Sequence, residues 1–91
     1  MKLEARADRS AAQAQLEAAV ARTRAADKGV TAAEEAYRLA RVGFDAGRIS
    51  QLELRSIRSD LIAARNTSVE SRLARVRAAV ELARLDGRTP F

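Results

Sequence analysis

Asp45-Ala46-Gly47-Arg48-Ile49-Ser50-Gln51-Leu52-Glu53-Leu54 decides the fold of this chain. Gly47 suits the left-handed backbone position that closes a helix C-terminus. Three residues later Ser50 stands at an N-cap, and Glu53 takes the third helical position, so that Ser50-x-x-Glu53 is a full capping box. Ile49 before the cap and Leu54 after it occupy the two places of a hydrophobic staple. One helix therefore ends and another begins within eight residues. A connection that short forces the two helices to lie antiparallel.

Upstream, the spacing predicts one helix over about 2–46. Steps of three and four link Leu16, Ala19, Thr23, Ala26, Val30, Ala33, Tyr37, Ala40 and Phe44, the heptad-like stripe of a helix that packs along its whole length. Such a helix is roughly 65 Å long at 1.5 Å per residue. Gly29, followed by Thr31-x-x-Glu34, imitates a capping box and would make a third helix. The stripe runs through it without a change of phase, so the helix is expected to continue. Glu34 and Arg38 stand in the favourable i,i+4 order for an ion pair.

Downstream, a helix is expected over about 51–85, after a turn at 47–50. Leu54, Ile57 and Leu61 open its apolar face, which is expected to pass through Ile62, Val69, Leu73, Val76, Val80 and Ala83. That path needs a shift of phase near Arg65-Asn66-Thr67-Ser68. Thr67-x-x-Glu70 again imitates a cap, but apolar positions resume at seven-residue spacing beyond it. Gly87 and Pro90 are expected to stop the helix, leaving a short tail over 86–91. The expected fold is all-α, a single long two-helix hairpin spanning 1–91, coiled-coil-like and packing with other copies.

Composition agrees. The chain is 47 % hydrophobic over 91 residues, with only Tyr37, Phe44 and Phe91 aromatic. Much of that content is alanine, which buries little area but favours helix and lets helix axes approach closely. Seventeen basic residues face 12 acidic ones, a net charge of +5. With neither cysteine nor histidine, thiolate chemistry, disulfides and the usual zinc ligands are excluded. Ser50 reads as a cap and the adjacent Glu34 and Glu35 as solvated surface. Gly43-x-x-x-Gly47 lacks the Lys-Ser/Thr of a phosphate loop. No catalytic residue, metal ligand or cofactor is expected, and the chain is not read as an enzyme. Arg58, Arg65 and Arg72 recur every seven residues and would suit phosphates. Acids interrupt them, no aromatic platforms accompany them, and nucleic acid is not the expected partner. No run approaches the ~20 apolar residues of a membrane span, and the first residues lack the apolar centre of a signal peptide.

The stretch from Ala36 to Leu54 resembles the periplasmic-tip segment of TolC-like outer-membrane efflux proteins, nearest to their heavy-metal efflux branch. Phe44 takes the place of the family's aromatic and Gly47 that of its glycine. Leu52, Glu53 and Leu54 match the cluster that follows. Further on, Leu61-Ile62-Ala63-Ala64-Arg65-Asn66 and Leu82-Ala83-Arg84-Leu85-Asp86-Gly87 resemble the returning helix and its end.

The resemblance implies a trimeric channel in the outer membrane, of which this chain would be a periplasmic, α-barrel portion within a longer protein. Cargo would pass without chemistry. Ala46, Gly47 and Arg48 would dock a periplasmic adaptor, which links the channel to an inner-membrane pump. Phe44 and Glu53 would lie at the pore entrance, Glu53 also serving with Ser50 as the helix cap. Two departures stand out. Phe44 has no hydroxyl to bond across subunits, and the second acid that some relatives carry near Ser56 is absent. An isolated hairpin would pair with a second one through alanine-rich faces as a four-helix bundle. The alternative is a free-standing basic hairpin that self-associates and binds nucleic acid or another anionic partner.

Overall fold

A computed structural model describes residues 2–87 of the chain, with side-chain burial from residue 5 onward. Helix α1 spans Lys2–Asp45 and helix α2 spans Gln51–Gly87. Together they form an antiparallel hairpin with extents of 67 × 16 × 15 Å. Helix α1 continues through Gly29, and α2 continues through Asn66-Thr67-Ser68. At neither place does a loss of apolar phase reward a break. Asp86 and Gly87 belong to α2 instead of the expected tail, and 88–91 lie outside the described residues.

The turn is closed by main-chain bonds. Gly47 has φ +73°. Its N–H donates to the Phe44 carbonyl at 2.9 Å, and the Arg48 N–H donates to the Gly43 carbonyl at 2.7 Å. These are the two bonds of a Schellman motif, and they satisfy carbonyls the helix end would otherwise leave open. The Ser50 hydroxyl then accepts from the Glu53 N–H at 3.1 Å. Ile49 folds back over Gly43, where an added Cβ would lie 3.6 Å from its side chain.

From this fixed corner the helices zip. Thr23 is 2 % exposed, and its hydroxyl donates to Ala19 O at 2.9 Å with Ser71 O at 3.3 Å across the seam. In an antiparallel pair each residue forward on one helix is matched by one back on the other. Thr23 beside Ser71 therefore puts Leu16 level with Ala78 and Val30 with Ala64. By the same rule Ala33 is level with Leu61, Tyr37 with Ile57, and Ala40 with Leu54. Side chains are mostly large against small, which lets the axes come close. All of these residues are at least partly buried.

The apolar face of α2 differs from the one the sequence suggests. Ile62, Val69, Leu73, Val76 and Val80 are 49–59 % exposed, and Ala83 is exposed too. The seam runs instead through Ala64, Ser68, Ser71, Ala78, Leu82 and Leu85. Two stripes of seven-residue spacing compete on α2, and residue hydrophobicity favours the outer one. The turn decides otherwise. It presents Leu54, Ile57 and Leu61 to α1, and a continuous helix carries that phase onward. Changing stripe midway would rotate the contact face by more than 100°, which an unbroken helix cannot do. The expected shift of phase is absent, and two serines enter the seam. Phe44, expected as the last residue of the α1 stripe, is 37 % exposed at the turn end.

Candidate functional site

Two regions stand out, a polar node halfway along the seam and the turn end of the rod. At the node, Asp27 on α1 accepts a 2.8 Å bond from the Ser68 hydroxyl. It also accepts from Arg72 Nη2 at 3.0 and 2.9 Å. The Ser68 bond, reinforced by the Arg72 charge, holds the Asp27 carboxyl below its usual pKa. Ser68 is 8 % exposed, and among the described residues no buried side-chain nitrogen or oxygen lacks a partner. Two further ion pairs bridge the helices, Arg65–Glu34 at 3.6 Å and Arg9–Asp86 at 3.0 Å.

These contacts change two sequence readings. Arg38 does not reach Glu34. It grips Glu35, with its Nε and Nη2 at 3.0 and 2.6 Å from the two carboxylate oxygens, which holds Glu35 below its ordinary pKa. Glu34 is left to Arg65. The seven-residue arginine series is also no free cationic stripe, because Arg65 and Arg72 are each matched by an acid from α1. The node itself had a signal in the sequence, namely polar residues at stripe positions. It was legible only once Ser68 and Ser71 were assigned to the seam.

The turn end gathers the residues singled out by their motif. Ala46, Gly47 and Arg48 form the exposed tip, with Phe44 and the exposed Glu53 directly behind it. Glu53 joins the cap through its N–H, which donates to the Ser50 hydroxyl, and the residue is exposed. Beside them stand aliphatic side chains that the motif does not include: Leu39 at 56 %, Val42 at 57 % and Leu52 at 74 % exposure. Val42 and Leu52 stand at the same height on opposite edges, Val42 in seven-residue register with Ala21 and Leu52 with Leu73. The end of the rod therefore carries exposed aliphatics on both edges behind the exposed Arg48.

Among the described residues no three His, Cys, Asp or Glu side chains group as metal ligands, and no helix is long and apolar enough to cross a membrane. The depressions are shallow inter-helix grooves, such as that lined by Glu34, Tyr37, Arg38, Arg41, Leu61 and Arg65. Comparison with protein-family profiles, with curated proteins and with solved structures gave no match to this chain.

Proposed function

We propose that this hairpin is a wall element of a passive envelope conduit, the periplasmic hairpin of a TolC-like outer-membrane efflux channel whose turn end docks a periplasmic adaptor. The observation that carries this reading is the aliphatic stripe Ile62, Val69, Leu73, Val76 and Val80, left uncovered along the outside of α2. A hairpin finished on its own terms buries its largest aliphatics and exposes its small and polar residues. Here serines and alanines share the inner seam with leucines such as Leu61, while Ile62, Val69, Leu73, Val76 and Val80 face outward. A stave in a helical wall needs such a second face, because it packs on a neighbour as well as on its own partner helix.

Three other features support the reading. The rod is 67 Å long and about 16 Å across, a shape that suits a stave of an elongated wall. The exposed tip sets Arg48 beside Phe44, with Val42 and Leu52 exposed on either edge behind it, which suits docking. The acids opposite Arg65 and Arg72 lessen the case for a nucleic-acid partner.

An immunoblot of fractionated source cells, with an antibody against this segment, tests the proposal. A several-fold larger band in the outer-membrane fraction is expected. A band of this chain's own size in the soluble fraction would overturn it, and a free-standing self-associating hairpin would take its place.

A further inference from the structure

Each helix carries a second stripe that the hairpin does not cover. On α2 it is the aliphatic series from Ile62 to Val80. On α1 it is Ala14, Ala18, Ala21, Ala25 and Ala32, all exposed, again at steps of three, four and seven. At about 100° per residue, each stripe lies roughly 150° around its helix from the inner seam. The offsets have opposite signs along helices of opposite direction. The two stripes therefore leave opposite edges of the hairpin and face nearly opposite ways.

Their axial spacing matches. With Thr23 beside Ser71 across the seam, Ala25 lies level with Val69. The same steps put Ala14 level with Val80, Ala18 with Val76, Ala21 with Leu73, and Ala32 with Ile62. Five aliphatic side chains on one edge stand at the heights of five alanines on the other. A second copy laid alongside, same end up and without axial displacement, would seat every aliphatic of one α2 on an alanine of the next α1. That is the large-on-small pattern of the inner seam, repeated outside. The same placement brings Arg58, flanking the α2 stripe, within one residue's rise of Glu35 on the neighbouring copy.

Pairing α2 with α2 about a two-fold axis fits poorly. With Ile62 level with Val80 it would set large residues on large ones, without the large-on-small fit of the inner seam.

We propose that the two edges are complementary halves of one heterologous self-interface, through which copies of this chain associate side by side in the same orientation, α2 of each on α1 of the next. Such an interface leaves one edge free at either end, and it yields a ring where the rotation between copies closes and an open row where it does not. It shares the α2 stripe with the channel reading and adds the α1 stripe and the register between them, which the trapping experiment below tests by itself.

The chain has no cysteine, so disulfide trapping has no background. Val69→Cys and Ala25→Cys, made as separate full-length variants, are mixed in equal amounts and oxidised mildly. Both positions are exposed, and unchanged helicity confirms that each variant folds. The mixed Val69–Ala25 dimer is expected to exceed both same-variant dimers. It is also expected to exceed, about tenfold or more, the product of Val69→Cys with Ala32→Cys. That control is one heptad out of register, about 10 Å along the axis, beyond the ~4 Å Cβ separation a disulfide spans. Dominance of the Val69→Cys self-dimer would replace the proposal with two-fold packing. A mixed dimer no more abundant than the mismatched control would overturn it altogether.

Discussion

At Gly47 the backbone stands at φ +73°, where an L side chain crowds its own carbonyl. Gly47→Ala is expected to cost about 1–2 kcal/mol, read as a lower urea midpoint with an unchanged slope. Gly43→Ala, four residues earlier, is the contrast. Its new methyl would meet Ile49 at an ordinary 3.6 Å within regular helix, so a gain of about 0.5–1 kcal/mol is expected. Ser50→Ala removes the acceptor at 3.1 Å from the Glu53 N–H and should cost about 1 kcal/mol. At the node, Ser68 and Arg72 depress the Asp27 pKa. A carboxyl depressed on folding stabilises above its unfolded pKa of about 3.9 and loses that contribution as pH falls through its folded value. The Tm of the parent chain should therefore exceed that of Asp27→Asn at neutral pH. The gap should close below about pH 4. A gap that stays constant down to pH 2 would show that the charge of Asp27 contributes nothing.

The two helices themselves were legible from local chemistry, because each end at the turn is specified by side chains within a few residues of it. So was the seam of α1, where Leu16, Thr23, Val30 and Tyr37 mark one stripe and the rival stripe offers only alanines. On α2 the hydrophobic pattern pointed to the wrong stripe. Periodicity reports that a face is apolar, whereas the choice between two apolar faces is made remotely, by the phase the turn imposes on Leu54, Ile57 and Leu61. For the same reason the Asp27–Ser68–Arg72 node was hidden, since it joins residues 41 and 45 positions apart. The two faces predict different mutational outcomes. Leu61 is 5 % exposed, and Leu61→Ala is expected to destabilise the hairpin by about 2–4 kcal/mol. Leu73 is 51 % exposed, and Leu73→Ser should change the unfolding free energy of the dilute chain by no more than about 0.5 kcal/mol. Its effect belongs to association, seen as a shift toward smaller species in sedimentation velocity. Equal destabilisation by both would mean that the outer stripe belongs to the core of the single hairpin.

For the whole molecule, the response of assembly to salt separates the surviving readings. The chain carries +5 net, so identical copies repel one another before any contact forms. An interface of aliphatic stripe on alanine stripe owes its free energy to apolar burial, which moderate salt does not weaken. Screening removes the repulsion, because the Debye length falls from about 10 Å at 0.1 M to about 3 Å at 1 M. Larger species should therefore gain weight in sedimentation velocity as sodium chloride rises from about 50 mM to 500 mM. Association through the arginines with an anionic partner would respond in the opposite sense. A complex with a DNA duplex that neutralises several phosphates loses affinity by orders of magnitude over a few-fold rise in salt. Self-association strengthened by salt, with duplex binding weak at every concentration, is the pattern expected of a wall element. Self-association abolished by salt would place the contact on charges such as Arg58 and Glu35 instead of the aliphatic stripe. Tight duplex binding at low salt would move the chain to the nucleic-acid reading.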